Sequence, residues 1–165
     1  MEYKLIIFDA DGTLRFCTVE GQPCPNRSGE WKLYPGVRKK LAEYDWISPN
    51  SSEQGMGYGI ASNQGGVGVG YFSEETAISL LKDTVREAFG FDPAEGTIEI
   101  CPHVPYSGCG CRKPDPLMLQ NLMKKYGVPP QEVLFVGDRD ADEKAAENAG
   151  CDFMWAYKFF RREPD

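Results

Sequence analysis

The chain has 165 residues and a net charge of −7, which suits one compact domain and gives no general attraction for polyanions such as nucleic acids. Hydrophobic residues make up 41% of the sequence, yet no apolar run approaches the roughly 20 residues needed to cross a membrane. The N-terminal residues enter a strand pattern directly, so no signal peptide is expected, and the six cysteines favour metal binding over disulfides in a cytoplasmic protein.

Short apolar runs alternate with segments of helical periodicity, the pattern typical of an α/β fold with a mostly parallel sheet. Strands are predicted, in chain order, over residues 3–8, 57–62, 97–101, 133–137 and 152–155. Helices are predicted between them, from apolar residues three or four apart, over residues 37–44, 74–89, 119–126 and 141–149. Ser73 is the predicted N-cap of the second helix, and Gly127 and Gly150 are predicted to end the last two.

Three segments lack such periodicity and are predicted to be loops: residues 13–34, 48–55 and 101–114. The first is polar and irregular and is predicted to form a long loop or a flap. The third is dense in Pro, Gly and Cys. Because long unstructured loops in a compact domain are usually functional or disordered, the first and third are candidates for a role in the site.

The strongest chemical signal is the run Asp9-Ala10-Asp11-Gly12-Thr13, directly after the first predicted strand. Two carboxylates at the end of an apolar strand cost free energy if they are buried without a cation. A solvated turn is the alternative, since Asp and Gly are common turn residues. Three further polar motifs follow in the chain: Ser62-Asn63 after the second strand, Lys113 in the third loop, and Asp138 with Asp142 after the fourth strand.

These four motifs, in this order, resemble those of the haloacid dehalogenase superfamily of phosphohydrolases, and the resemblance covers nearly the whole chain. It implies a Rossmann-like three-layer sandwich that forms a single domain over residues 1–165, with the mostly parallel sheet in the order 3-2-1-4-5. Many relatives carry a separate cap domain. The connections between the motifs are too short for one here, so a capless monomer that accepts fairly large substrates is expected.

The resemblance also implies a role for each motif residue. Asp9 would be the nucleophile that forms an aspartyl-phosphate, and Asp11 would be the general acid and base. Ser62, Asn63 and Lys113 would bind the transferring phosphoryl group, and Thr13 and Arg112 would contact the substrate. A catalytic Mg²⁺ would be bound by oxygen ligands of Asp9, Asp11 (main-chain carbonyl) and Asp138, with Asp142, or alternatively Asp140, supporting its waters.

The loop after the third strand contains Cys101, His103, Cys109 and Cys111 within eleven residues, and it continues directly into Arg112-Lys113-Pro114. Three thiolates and one imidazole are a standard ligand set for structural Zn²⁺, although a disulfide or a merely cysteine-containing loop is the alternative. The CxH…CxC loop followed by CRKP resembles one branch of the superfamily, subfamily IIIA. That branch holds heptose bisphosphate and histidinol-phosphate phosphatases, in which the 101–111 loop would bind a structural Zn²⁺.

The resemblance therefore predicts a Mg²⁺-dependent phosphatase that acts on a small phosphorylated metabolite, first of all a heptose bisphosphate. Histidinol phosphate is one alternative. A phosphorylated 3′ end of a nucleic acid is another, and it would be bound by basic residues that the sequence places after the first motif: Arg15, Arg27, Lys32, Arg38 and Lys39. A zinc-stabilised binding domain without catalysis is a third interpretation, but the acidic motif residues and Lys113 would then have no purpose.

Overall fold

The computed structural model describes residues 2–164 of the chain. Its strands are β1 (Leu5–Phe8), β2 (Arg15–Cys17), β3 (Trp31–Leu33), β4 (Trp46–Ile47), β5 (Met56–Asn63), β6 (Ile98–Cys101), β7 (Val133–Gly137) and β8 (Asp152–Trp155). Its helices are α1 (Val37–Leu41), α2 (Gly66–Val69), α3 (Glu74–Phe89), α4 (Leu117–Tyr126), α5 (Asp140–Ala149) and α6 (Ala156–Phe159).

Six strands form one parallel sheet with β1 at its centre. The strand β1 pairs with β5 on one side and with β7 on the other, and β8 extends the sheet beyond β7. The strand β5 is long enough to pair with β4 near its start and with β6 along its last four residues. The five predicted strands therefore lie in the order β6-β5-β1-β7-β8, which confirms the expected 3-2-1-4-5 arrangement.

Both faces of the sheet are covered by helices, so the three-layer sandwich is confirmed. Alternation along β1 sends Ile6 and Phe8 into an apolar cluster with α1, α3 and α6. The alternate residues Leu5 and Ile7 pack on the other face against α4 and α5. Because β1 is buried on both faces, its sequence is continuously apolar rather than alternating.

The segment 13–34 departs from the prediction of an irregular loop or flap. It contains the antiparallel hairpin of β2 and β3, in which Arg15 pairs with Leu33 and Cys17 with Trp31. The main-chain N–H of Tyr34 donates to the carbonyl of Leu14 at 3.0 Å and ties this hairpin to the end of the first motif. Each of its strands has only three residues, which is too few for a clear periodic signal.

Two further departures concern residues 37–47. The first helix ends at Leu41 instead of continuing to residue 44, because Tyr44 turns away to pack on Trp46, with ring centroids 4.9 Å apart. Trp46 and Ile47 then add the short edge strand β4. The short helices α2 and α6 were not predicted either. In residues 2–164 the connections hold these elements, one turn of 3₁₀ helix (Pro130–Glu132) and no inserted cap. No helix in these residues is long and apolar enough to span a membrane.

Candidate active site

The carboxyl ends of β1, β5 and β7 meet at one edge of the sheet and bring the predicted motifs together. Phe8, the last residue of β1, is in register with Ile60 of β5 and Val136 of β7. Asp9 continues this line, since its N–H donates to the carbonyl of Val136 at 3.0 Å. This edge is where open α/β sheets bind ligands, and here it holds motif residues from three strands.

The ammonium of Lys113 lies at the centre of the site. Its Nζ is 2.8 Å from Oδ1 of Asp9, 2.7 Å from Oδ1 of Asp142 and 2.9 Å from the carbonyl oxygen of Ala61. All three charged side chains are more than nine-tenths buried. Burial alone disfavours the charged amine, but Asp9 and Asp142 outweigh it and raise the pKa of Lys113.

Asp9, Asp138 and Asp142 form a carboxylate cluster in which one oxygen of each residue lies within 4.8 Å of the others. Burial raises the pKa of Asp9 well above its ordinary value; Asp142 and Asp138 raise it further, while Lys113 lowers it. A nucleophilic carboxylate has to be ionised. Because the surroundings of Asp9 disfavour its ionised form, the cluster needs more positive charge than Lys113 supplies. Three oxygen donors that face one another and carry excess negative charge suit a hard divalent cation such as Mg²⁺.

Asp142 is fixed by the start of α5. Its Oδ2 accepts hydrogen bonds from the N–H groups of Asp138 and Arg139, both at 3.1 Å, so it caps the helix that it belongs to. Gly137 has to lack a side chain here, because a Cβ would overlap the Asp142 carboxyl group. Asp142 is buried in the cluster, whereas Asp140, the alternative residue for this position, is exposed.

Asp11 lies at the side of the site nearest the β2–β3 hairpin. Its carboxyl group accepts hydrogen bonds from Nε of Arg15 at 2.8 Å and from Nη2 of Arg15 at 3.2 Å. The side-chain amide of Gln64 donates to Oδ2 of Asp11 at 3.2 Å and to Oγ of Ser62 at 2.6 Å. The candidate acid/base and one candidate phosphoryl ligand are therefore connected through a residue that the sequence did not single out.

Asn63 positions the loop that carries Lys113. Its Oδ1 accepts from the N–H of Lys113 at 3.0 Å, and its Nδ2 donates to the carbonyl of Lys113 at 3.3 Å. This two-bond contact lies across 50 residues of sequence and joins the end of β5 to the loop after the cysteines. Asn63 thus has a structural task in addition to the phosphoryl contact predicted for it.

A cavity of about 300 Å³ opens over these residues. It is lined by Asp9, Asp11, Pro23, Cys24, Ser62, Asn63, Gly65, Gly66, Arg112, Lys113, Arg139, Ala141 and Asp142. Arg112, for which a substrate contact was predicted, lines the cavity, and so does Arg139, for which no role was predicted. Cys24 reaches the cavity from the loop before β3, and burial raises its thiol pKa to about 11, so it is not a reactive thiolate.

Thr13 does not line this cavity, although substrate binding was predicted for it. It is fully buried, and its Oγ1 lies 3.4 Å from Oδ2 of Asp9 and 3.3 Å from Oδ1 of Asp138. Its hydroxyl can position either carboxyl group but is not among the groups that line the cavity. The basic residues considered for a nucleic-acid ligand do not line the cavity either, and one of them, Arg15, is fully buried.

Arg162, near the C-terminus, contacts the first motif from outside the cavity. Its Nη1 and Nη2 donate to the carbonyls of Thr13 and Gly12 at 2.9 and 3.0 Å, and its guanidinium lies 3.8 Å from the centre of the Tyr34 ring. These bonds fix the turn after the nucleophile. Nothing in the sequence marks this contact, since it joins positions about 150 residues apart.

The four predicted zinc ligands come together beside the cavity. The Sγ of Cys101 is 3.5 Å from Nδ1 of His103, 3.6 Å from Sγ of Cys109 and 3.0 Å from Sγ of Cys111. One potential ligand atom from each of these four residues lies within 4.8 Å of the others. All six cysteines are free thiols, so the disulfide alternative has no support in the structure. A ring of three sulfurs and one nitrogen of this size fits one tetrahedral Zn²⁺.

Comparisons with known proteins agree with this site. The HAD-hydrolase-like family model matches residues 110–156. The D-glycero-beta-D-manno-heptose-1,7-bisphosphate 7-phosphatase of Pseudomonas aeruginosa is 31% identical over 152 residues, covering 92% of this chain and 79% of that enzyme. The histidine biosynthesis bifunctional protein HisB of Legionella pneumophila is 30% identical over 92% of this chain, which spans 40% of that longer protein.

Among solved structures, the D,D-heptose 1,7-bisphosphate phosphatase of B. bronchiseptica, complexed with magnesium and phosphate, has a TM-score of 0.70 and 31% identity. The match covers 91% of this chain and 78% of that one. Fold, site and relatives together define the protein as a phosphatase of the haloacid dehalogenase superfamily. Within that superfamily, the chain belongs to the family of the D-glycero-D-manno-heptose-1,7-bisphosphate 7-phosphatases.

Proposed function

We propose that this phosphatase removes one phosphate from a sugar bisphosphate of the heptose 1,7-bisphosphate type. The carrying observation is a cavity that is lined both by the Asp9–Lys113–Asp142 network and by two arginines, Arg112 and Arg139. We assign the network to the base of the site and the arginines to its wall. The base suits the phosphate that reacts. The two guanidinium groups suit a second phosphate at the other end of the substrate, because guanidinium binds phosphate through two parallel hydrogen bonds.

The proposed reaction has two steps. An Asp9 carboxylate oxygen attacks phosphorus, the bond from phosphorus to the sugar oxygen breaks, and Asp11 gives its proton to the departing alkoxide. Asp11 then removes a proton from a water molecule that attacks the aspartyl-phosphate. Phosphate leaves, and Asp9 is restored as a carboxylate. Lys113, Ser62 and Asn63 bind the phosphoryl oxygens on which charge is spread during both steps.

Asp9 and Asp138, together with the main-chain carbonyl of Asp11, would bind the Mg²⁺ ion that this mechanism needs, and Asp142 would support it. When bound, the ion supplies positive charge to the carboxylate cluster and to the phosphoryl group. The proposal is supported by the cluster of three carboxylates, whose negative charge Lys113 does not balance. Removal of the ion by EDTA should abolish turnover, and added Mg²⁺ should restore it.

A screen of phosphate release tests the substrate. The set contains heptose 1,7-bisphosphate, other sugar phosphates, histidinol phosphate and a 3′-phosphorylated oligonucleotide, each compared by kcat/KM. We expect the sugar bisphosphate to be hydrolysed most efficiently. Histidinol phosphate carries cationic groups, which Arg112 and Arg139 would repel. If histidinol phosphate or the oligonucleotide were favoured by about tenfold or more, or 1.4 kcal/mol, the bisphosphate proposal would be wrong and the phosphatase assignment would remain.

Arg112→Ala should weaken a bisphosphate substrate selectively. Loss of one charge-assisted contact corresponds to about 1.5–3 kcal/mol, so kcat/KM for the bisphosphate should fall about 10- to 150-fold. Hydrolysis of p-nitrophenyl phosphate, which has no second phosphate, should change much less. An equal loss for both substrates would show that Arg112 acts on the reacting phosphate or on the loop, and would contradict the assigned role.

We further propose that the four-residue cysteine and histidine cluster binds a structural Zn²⁺ that fixes the loop leading to Arg112 and Lys113. Four protein ligands leave no open position for catalysis. Elemental analysis should find about one zinc per chain in protein purified without added metal, as expected for a closed structural site. Cys109→Ser should remove the zinc and lower activity by loosening the loop, whereas Cys151→Ser, outside the cluster, should retain it. A zinc-free protein with full stability and activity would refute this proposal.

A further inference from the structure

Arg15 is buried at the edge of the active site without lining its cavity. Only 1% of its surface is exposed, and it lies on β2 at the start of the hairpin. A guanidinium group taken out of water carries a large desolvation cost, which is offset only when its donors are paired. The buried guanidinium group of Arg15 should therefore be paired, and its partners indicate its role.

The partners of Arg15 point to one carboxyl group. Its Nε and Nη2 donate to the two oxygens of Asp11 at 2.8 and 3.2 Å, which is a bidentate pair. Its Nη1 donates at 2.9 Å to the hydroxyl of Thr84, and that hydroxyl donates in turn to the carbonyl of Leu80 at 2.8 Å. The arginine thus connects Asp11 to the interior of α3, a rigid helix of 16 residues.

The main chain reinforces this connection. The N–H of Gly12 donates to the carbonyl of Arg15 at 2.9 Å, and the N–H of Arg15 donates to the carbonyl of Ala10 at 3.1 Å. The residues on either side of Asp11 are therefore bound to Arg15 as well. With Gln64 on Oδ2 from the other side, the plane of the Asp11 carboxyl group has little freedom to rotate.

We propose that Arg15 is a positioning residue for Asp11, which fixes the carboxyl group in the orientation that transfers a proton to the leaving group. This inference rests on the proposed role of Asp11. It assigns no contact between Arg15 and the substrate. A lysine could keep the charge but could not form the planar fork, so the role requires the guanidinium geometry.

The test is single-turnover hydrolysis with enzyme in excess, in which release of the alcohol or phenol is measured, so that only the first chemical step is followed. An alkyl phosphate needs a proton on its departing oxygen, whereas p-nitrophenolate leaves without one. Arg15→Met should slow the alkyl ester about 100-fold, the loss expected from a small displacement of a catalytic group. It should change p-nitrophenyl phosphate by less than about threefold, since general acid catalysis contributes little there.

Asp11→Asn and the double variant, with Arg15→Met and wild type, form a double-mutant cycle. Arg15→Met should add little to the loss caused by Asp11→Asn, because it acts through that residue. If Asp11→Asn itself showed no dependence on the leaving group, the proposed role of Asp11 would fail. If the loss depended on the leaving group in Asp11→Asn but not in Arg15→Met, the positioning role alone would fail. The same would follow if the losses of the two single variants added up in the double variant.

A folded variant is needed for this comparison. Thermal unfolding identifies any Arg15→Met protein that does not fold, and Arg15→Lys then takes its place, since it keeps the buried charge without the fork. Arg15→Lys should show the same selective loss on the alkyl ester. A lysine variant with wild-type rates on both esters would overturn the proposal. Thr84→Val, which removes the bond from Arg15 to Thr84 and the bond from Thr84 to Leu80 but leaves the fork to Asp11, should lose less than either arginine variant.

Discussion

Asp9→Asn is expected to lower turnover of any phosphate ester by at least about 10⁴-fold, as is common when a covalent nucleophile is removed. An amide oxygen cannot form the aspartyl-phosphate in place of the carboxylate. The fold should remain intact, because Asn is nearly isosteric and its Oδ1 can still accept from Lys113. The measurement is kcat for p-nitrophenyl phosphate, together with the melting temperature.

The same substitution should leave stability unchanged or raise it. Burial raises the pKa of Asp9 well above its ordinary value, and Asp142 and Asp138 raise it further against the opposing effect of Lys113. Ionised Asp9 is therefore unfavourable where it lies. The exposed Asp140 provides a matched control, since Asp140→Asn changes an acid of the same motif outside the cluster and should keep activity. Turnover within about tenfold of wild type in a folded Asp9→Asn protein would contradict covalent catalysis by this residue.

Much of the fold could be predicted because each buried strand carries its own signal. The segment 133–137 is apolar throughout, since its sheet position is covered on both faces, and the structure has β7 over those same residues. Helices α3, α4 and α5 end at glycines with positive φ, as the sequence predicted from Gly127 and Gly150 for the last two. The convergence of Asp9, Ser62 and Asp138 followed from parallel strands whose ends share one edge.

The remaining features depend on contacts between distant residues. From the sequence, Arg15 was one of several cations considered for a nucleic-acid ligand, and only its bonds to Thr84 of α3 and to Asp11 show that it is buried behind the site. Arg162 reaches the first motif across the whole chain. Gln64 follows the two predicted motif residues of β5, but its amide can be assigned to Asp11 and Ser62 only when the side chains are placed. Contacts of this kind cannot be predicted from the local sequence.

Lys113→Met is expected to abolish activity and to lower the free energy of unfolding by about 3–5 kcal/mol, the range for removing one partner of a buried ion pair. Methionine keeps most of the length of the lysine stem, whose Nζ lies 5.4 Å from the centre of the Phe135 ring, so the loss should come from charge and not from a large cavity. Asp9, Asp138 and Asp142 would then face one another without an internal cation. Urea unfolding, followed with and without MgCl₂, measures the effect.

The electrostatic origin of this loss has two consequences. Added Mg²⁺ should stabilise Lys113→Met more than wild type, because the ion supplies the positive charge that Lys113 no longer brings to Asp9 and Asp142. A lower pH should reduce the deficit, since Asp9, whose pKa is already raised, takes up a proton and removes one of the opposing charges. Lys124→Met, at an exposed position of α4, is the matched control and should change stability by less than about 0.5 kcal/mol. A Lys113→Met protein as stable as wild type without Mg²⁺ and at neutral pH would show that Lys113 does not compensate the three carboxylates.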